Sequence, residues 1–554
     1  MGVPGFFMWL MQNYKKKKFV FRKETTENKE INEIDYFLID TNCLIHPVCF
    51  KVIADYAGQN ITNDKLEEKM MDSIIEYIEK IIQYVNPKVG VYVAIDGVAP
   101  MAKIKQQRMR RFKSIADKKL WDSIRKKHSR PVYNSWNNSA ITPGTKFMEK
   151  LHNRILSWKK ENVIYSSCFT PAEGEHKLLQ FIRNNQLNNK QYKYCIYGLD
   201  ADLIFLALST INNDNKSNIY LLRESIESKD ILSYVCMNTM KECIIDTIKT
   251  YITKKLEIDD VRIVRDFIFM CYFLGNDFLP HIVSLDIHNE GIERLIQTYI
   301  KVVNELSLSK MEYLLDKTNI NNYFFLKFIN YLGSNEDTTL EMNYMSNKRR
   351  VCNSEDEYEK EVFRIENLQF KINDPIKLGY GNSDEWRKRY YKHYWDLEDN
   401  EIEEFSEKMV VNYLIGVKWV TKYYFEKCPS WDWYYPFDYT PFLKDISKYC
   451  NKFDFNKYQF QLGKPVKPFV QLLLVLPPQS NYLLPDNLRK LVTNNKSSLI
   501  HLYPSEFEID FINKTKHWMG IVILPALDPE LVKHSYKKYE KELKPEDLER
   551  NKLL

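Results

Sequence analysis

The sequence predicts an α/β protein, with a twisted, mainly parallel central sheet flanked by helices and a second helical, aromatic-rich region packed on it. Three observations carry this expectation. Through about residue 300, short apolar runs alternate with stretches of helical period, the pattern of strands covered on both faces. Acidic residues recur where those runs end. Beyond residue 380 the alternation gives way to aromatic-rich text such as WRKRYYKHYW and CPSWDWYYPFDY.

The expected strands are 36–39, 89–95, 163–167, 194–197 and 219–222, each a run of β-branched and aromatic residues. Helical periods fill 64–84, 101–127, 144–158, 175–184 and 261–274, the second of them opening after Pro100. From 306 to 380 the text turns polar and rich in Asn and charge (SNKRRVCNSEDEYEKE), which reads as a variable connector or extended insertion. The expected divisions are therefore 1–305, a connector 306–380, a second region 381–530 and a charged C-terminal tail 531–554. The aromatic run from Trp431 to Tyr439 is expected to pack between the two regions.

With 554 residues, 44% of them apolar, 16 Gly and 21 Pro, the collagen-like, disordered and small disulfide-scaffold classes are excluded. No apolar run approaches the ~18 residues of a membrane helix, so membrane spanning is not expected. Export is not expected either, because the apolar stretch 3–11 precedes Lys15 to Lys18 rather than following them. Phe6 stands where an N-myristoylation context wants Ser or Thr. The ten cysteines form no CxxC pair and no zinc spacing. They read as reduced thiols of a cytosolic or nuclear protein.

The net charge of +6 is unevenly spread: residues 101–130 hold twelve Lys/Arg and two Asp, a local +10, leaving −4 elsewhere. Such a run is often no more than a solvated helix face. Here, however, Lys103, Gln107, Arg110 and Arg111 fall at i, i+4, i+7 and i+8, on one face of a helix. Three cations and an amide so placed make a phosphate receptor, since guanidinium forks bind phosphate oxygens bidentately.

Carboxylates sit where a parallel sheet puts its active site. These are Asp40 in YFLID, Asp96 in VYVAID, Glu173 and Glu175 in PAEGEHK, Asp200 and Asp202 in YGLDAD, and Asp277 in FLGNDF. Any one of them is more often an N-cap, and Asp96 before Gly97 could equally serve a turn. Seven on one face would repel one another at great cost unless divalent cations neutralise them. An all-oxygen set suits Mg²⁺ or Mn²⁺, and two such ions can clamp the attacking and leaving oxygens of a phosphodiester. The receptor lies immediately after Asp96, which suggests recognition of a phosphorylated end.

The ordered set MGVPGFF, DTNCLIH, AIDGVAPMAKIKQQRMRRF, ITPGTKFM, PAEGEHK, YGLDADLIFLAL, FLGNDFLPH, CPSWDWYYPFDY and LYPSEF resembles the Xrn family of 5′→3′ exoribonucleases, over residues 1 to about 530. The resemblance implies a PIN/flap-nuclease-like sheet and a metal site of Asp40, Asp96, Glu173, Glu175, Asp200, Asp202 and Asp277. It implies that Lys103, Gln107, Arg110 and Arg111 hold a 5′-monophosphate. It also implies that His46 of DTNCLIH and Trp518 of FINKTKHWMGIVILP stack on bases, although a lone His after a strand is more often structural. The stretch before Trp518 departs from the family pattern, with Asn513 and Lys514 lacking the intervening Gly.

The expected activity is a processive, Mg²⁺- or Mn²⁺-dependent exoribonuclease that degrades single-stranded 5′-monophosphorylated RNA to nucleoside 5′-monophosphates as a monomer. The family's larger cytoplasmic members carry further small β-rich domains, so contacts made by those domains do not transfer. An Asn/Lys-rich compact chain would suit an AT-rich genome such as that of a large DNA virus, placing it in the cytoplasm, a viral factory or a virion, with the nucleus as the alternative. A flap-type DNA 5′ nuclease is the alternative function. Gly291 alone in SLDIHNEGIERLIQTYI, with no Gly-rich helix-hairpin-helix, argues against it. A non-catalytic RNA-end-binding scaffold would have no use for seven clustered carboxylates.

Overall fold

Short β-branched and aromatic runs become strands, and the segments between them cross over as helices. A computed structural model of the chain describes residues 5–23, 29–132, 136–188, 190–211, 218–224, 231–345 and 350–554. The first four residues of the MGVPGFF opening and positions 346–349 of the polar stretch lie outside them. Among the described residues, seven strands form one sheet: β1 (Val20–Phe21), β2 (Tyr36–Asp40), β3 (Gly90–Ala94), β4 (Val163–Ser166), β5 (Tyr194–Tyr197), β6 (Ile219–Glu224) and β7 (Leu232–Cys236), in the order β1-β7-β6-β5-β2-β3-β4. The five strands from β2 to β6 pair in parallel, as the sequence predicts. Two antiparallel strands extend the edge beyond them, β7 on β6 and β1 on β7. Both escape the sequence reading because β1 is only two residues long and β7 offers a single five-residue run.

Register decides where the chemistry sits. Asp40 aligns with Ala94 of β3, and Ile39 with Tyr197 of β5, so Asp40, Asp96 and Asp200 leave the sheet from the same edge. After β2 the chain builds outward through β3 and β4, then returns to the other side of β2 for β5 and β6. The crevice at the carboxyl ends of β2 and β5 is thus a topological switch point, where such sheets bind ligands.

The expected helices form as Asn63–Val85, Met101–Lys127, Lys146–Trp158, Gly174–Leu187 and Asp260–Cys271. The first shows why: Thr62 caps it by accepting from the Lys65 amide, and Leu66, Met70, Ile74, Ile78 and Ile81 line its buried face. Ala201–Ser209 was not foreseen as a helix, because its residues from Asp202 to Ser209 are all buried and the run shows no helical period.

Two of the expected divisions contain more structure than their composition suggests. The segment 306–380, expected as a variable connector or extended insertion, is folded where described, with the helices Asn322–Ser334, Glu336–Met345 and Glu357–Glu366. Phe324, Phe325, Phe328 and Ile329, an apolar stripe hidden in Asn-rich text, lie in the core that also holds the sheet-flanking helices. Glu336, almost wholly buried, accepts from Ser284 Oγ at 2.8 Å and from the Leu443 and Lys444 amides. The segment 531–554 is likewise folded rather than a tail. Val532 and Tyr536 of the helix Pro529–Tyr539 are buried, and Arg550 donates to the Gly144 carbonyl at 2.7 Å. Its charge misleads because Arg550 and Asp547 are buried as a pair.

The second region does pack on the first, and one apolar cluster runs from Phe6 to Phe455. The long helix Ile402–Phe425 contributes Val410, Tyr413, Val417, Trp419 and Tyr423 to it. The 431–439 run packs against it as expected, with Trp433 stacked on Trp419 at 5.3 Å and Tyr435 buried. No helix among the described residues is long and apolar enough to cross a membrane. Phe328→Ala empties a fully buried site and is expected to cost about 3–4 kcal/mol, seen as a lower melting temperature by calorimetry. An unchanged transition would mean that 306–380 folds apart from the core.

Candidate active site

The carboxylates are delivered by strand ends, by the helix starts that follow them and, for Asp277, by the turn after a helix. Asp40 closes β2, Asp96 lies two residues past β3, Glu173 and Asp200 stand at the N-caps of Gly174–Leu187 and Ala201–Ser209, and Asp277 follows the turn Tyr272–Leu274. Neither Glu173 nor Asp200 uses its side chain to cap its helix, which answers the bland reading of those two acids. Both side chains remain available to the crevice. Gly174 makes the closeness possible: a Cβ there would lie 2.8 Å from Asp40 Oδ1 and 3.2 Å from the Ala94 carbonyl.

Second contacts fix these acids in place. Asp96 accepts from the Gly174 amide at 2.6 Å and from Asn42 Nδ2 at 2.9 Å. The Cys43 thiol donates to Asp40 Oδ2 at 3.0 Å. Tyr423, from the long helix of the second region, donates to Glu173 Oε2 at 2.6 Å, and its ring lies 3.7 Å from that of His176. Lys177 donates to the Ile95 and Ser167 carbonyls at 2.6 and 2.8 Å.

Burial and mutual repulsion govern the electrostatics. Burial, with Asp96 alongside, pushes Asp40 up to about 8. Burial and Glu173 raise Asp96 to about 6. Burial and Asp277 raise Asp202 to about 7. Glu175 is driven well above the usual range by burial and Glu173. Asp277 goes the other way: burial opposes its ionisation, yet the Lys103 ammonium holds it far below a normal carboxylate. Lys103 contacts Asp277 Oδ2 at 2.6 Å and pairs with Glu173, while Gln106 donates to Asp277 Oδ1 at 3.1 Å.

A hard divalent cation fits this donor set. Asp40 Oδ1 and Asp202 Oδ1 are buried and accept no hydrogen bond among the described residues, and one ligand atom each from Glu173, Glu175 and His176 lies within 4.8 Å of the others. Such oxygens are costly to bury without a counter-charge.

The four residues expected to form the phosphate receptor occupy one helix face and have different partners. Lys103 turns to the carboxylates. Gln107 Oε1 accepts from Gln471 Nε2 at 3.3 Å, and Arg111 donates to the Ser139 carbonyl at 3.3 Å. Arg110 is exposed and lines a cavity of about 320 Å³ together with Gln106, Asp277, Lys514 and Trp518. Trp518, 46% exposed, sits in the short turn His517–Met519 rather than in a longer helix. His46 lies in the helix Asn42–Asp55, and burial together with Arg111 and Arg110 lowers it to about 4. Both aromatic groups therefore border the basic helix.

The sequence reading missed Tyr423, Asn42, Gln106 and His176. Asn42 and His176 lie inside quoted motifs beside catalytic candidates, which is the signal that could have found them. Nothing local marks Tyr423, which reaches Glu173 across 250 positions of sequence. Arg108 and Lys105 of the basic run are structural. Arg108 is buried on the Leu474 and Leu502 carbonyls, and Lys105 clasps the Tyr435 and Phe437 carbonyls.

A carboxyl whose native pKa is raised stabilises the fold below its unfolded pKa, near 4, and loses that contribution as pH rises through its native value. With EDTA present, Asp202→Asn is therefore expected to melt above the wild type at pH 8, the gap closing towards pH 5. Calorimetry at both pH values checks this, and a gap independent of pH would refute it.

Two family models match the chain. A family model described as the XRN 5′-3′ exonuclease N-terminus matches residues 1–225, and one described as the Xrn1 helical domain matches 257–368 and 334–554. The chain is 30% identical to 5′-3′ exoribonuclease 1 of Homo sapiens, over the whole of this chain and 35% of that protein. It is 28% identical to 5′-3′ exoribonuclease 2 of Candida albicans, again over the whole chain and 74% of that protein. Against 5′-3′ exoribonuclease 2 of Arabidopsis thaliana it is 28% identical, with 69% of that protein covered. The chain thus spans about a third of the human relative's length.

Proposed function

The chain belongs to the Xrn family of 5′-3′ exonucleases, and from that premise we propose that it is a divalent-cation-dependent, processive 5′→3′ exoribonuclease. Its substrate is single-stranded RNA with a 5′-monophosphate, and its products are nucleoside 5′-monophosphates. One observation carries this reading: a strongly basic helix begins inside the acidic cluster. Lys103 touches Asp277, and Arg110, two turns on, lines the cavity that Asp277 also lines.

Asp40, Asp96, Glu173, Glu175, Asp200, Asp202 and Asp277 would hold the Mg²⁺ or Mn²⁺ ions. Bound there, such ions lower the pKa of an attacking water and stabilise the leaving oxygen. The chain's own groups do the positioning. Asn42 and the Gly174 amide orient Asp96, and Tyr423 orients Glu173. Arg110 and Arg111, with Gln107, grip the terminal phosphate through charge-assisted hydrogen bonds. His46 and Trp518 stack on bases, an interaction that tolerates any sequence and so suits stepwise movement along RNA. Lys105 pins the Tyr435 to Asp438 wall of the cavity beside Arg110, and in this reading a cap or triphosphate is rejected.

One RNA bearing a 5′-monophosphate, 5′-triphosphate, cap or 5′-hydroxyl, incubated with Mg²⁺ or EDTA beside matched single-stranded and flap DNA, tests the reading. Metal-dependent release of mononucleotides from the monophosphate RNA alone is expected. Cleavage confined to flap DNA, or binding without products, would overturn it. Asp200→Ala is expected to abolish hydrolysis with RNA binding retained, and Arg110→Ala to erase the preference for monophosphate ends. Tyr423→Phe removes a hydrogen bond to a charged group, worth about 1.5–3 kcal/mol. A fall in kcat of roughly tenfold or more with little change in KM is expected from single-turnover and steady-state rates.

A further inference from the structure

The acidic crevice is charged unevenly. Among the described residues, the ammonium in ion-pair contact with these carboxylates is that of Lys103, whose side chain is 13% exposed and spans Glu173 and Asp277. Asp40, Glu175 and Asp202 are left to repel one another, and two of their oxygens are buried without a donor. Lys177, the other buried lysine nearby, donates to two backbone carbonyls and makes no ion pair with these acids among the described residues.

Glu173 and Asp277 do not depend on Lys103 for their position, because Tyr423 holds the first and Gln106 the second. The lysine is the movable member of the trio: a compact charge on a flexible four-carbon arm. Along its helix, Gln107, Arg110 and Arg111 stand at i+4, i+7 and i+8, so an arm that leaves the carboxylates has those groups as its neighbours.

We propose that Lys103 is a movable counter-ion, displaced towards Gln107, Arg110 and Arg111 when a divalent cation takes up Glu173 and Asp277, so that the cation and a 5′-phosphate bind this chain cooperatively. This rests on the end-receptor reading above. An ammonium and a divalent cation compete for the same oxygen lone pairs, so Lys103 holds down the cation affinity of the free protein. Once expelled, the ammonium is a partly desolvated charge beside two guanidiniums, an unfavourable state until an anion arrives. A terminal phosphate supplies that anion. By linkage the effect is mutual: the cation raises affinity for the phosphorylated end by the same factor. The complete cation set then assembles only on a seated RNA end.

The test uses the full chain and Mn²⁺, with unbound Mn²⁺ measured by electron paramagnetic resonance. The RNA probes are two pentamers with methylene in place of the first bridging 3′-oxygen, so that neither can be cleaved, one 5′-phosphorylated and one 5′-hydroxyl. Wild type is expected to bind Mn²⁺ about tenfold more tightly with the phosphorylated pentamer than with the hydroxyl one, within the usual range of coupling. Lys103→Met is expected to bind Mn²⁺ alone about tenfold more tightly than wild type and to respond equally to both pentamers. Lys103→Gln, which keeps a polar group, repeats the measurement should the methionine variant fail to fold. Lysine variants that bind Mn²⁺ no more tightly than wild type overturn the proposal. So does a wild-type Mn²⁺ affinity indifferent to the 5′-phosphate while the phosphorylated pentamer still binds preferentially. Equal binding of the two pentamers at saturating Mn²⁺ removes the end receptor itself, and with it the coupling, and is recognised because the phosphate preference is then lost in wild type.

Discussion

Packing many like charges into one desolvated edge is the constraint on which the rest of this structure depends. Repulsion among buried carboxylates costs several kcal/mol per uncompensated charge, and the fold meets that cost with geometry. The parallel register brings three strand ends level. Glycine at 174 lets a helix terminus approach Asp40 closely enough to share the crevice. Glycine at 97 does the same for the loop beneath, since a Cβ there would stand 1.9 Å from the Thr170 carbonyl. These are positions where any larger residue would force the acids apart.

The second region is a working wall of the same crevice. Tyr423 reaches Glu173, and the ring of Phe278, next to Asp277, packs edge-on against Tyr423 and lies 4.9 Å from that of Trp419. One helix therefore supports an acid from each side of the crevice. From the opposite direction, Lys105 leaves the basic helix to hold the aromatic loop at 435–438. Interdependence of this kind explains why the apolar cluster crosses from one region to the other without a seam.

How much was legible in the sequence follows from how local each cause is. Strands β2 to β6 and the carboxylates behind them were legible, because a strand's period and the acid at its end lie within ten residues of each other. The basic helix was legible from Pro100 and its spacing. Its side-chain directions were not, since Lys103 is turned by Glu173 and Asp277, which lie 70 and 174 positions away. Tyr423 was invisible for the same reason. The helices within 306–380 and 531–554 were read as polar text, because composition averages over an apolar stripe such as Phe324, Phe325 and Phe328 and over a buried pair such as Arg550 and Asp547. Ala201–Ser209 failed in the opposite sense, being too uniformly apolar to show a period.

The seamless core also sets a timetable for the growing chain. Tyr272 packs edge-on against Tyr424, and Phe273 lies 6.4 Å from Tyr413. Both partners belong to Ile402–Phe425, so the apolar surface around Asp260–Cys271 is finished only when a helix about 150 residues later has been synthesised. At roughly 5–20 residues per second, that surface waits about 8 to 30 s after leaving the ribosome. During that interval the sheet half exposes apolar surface of the kind that makes folding intermediates prone to aggregate, so slow translation between the two helices lengthens the time for which that surface stays uncovered.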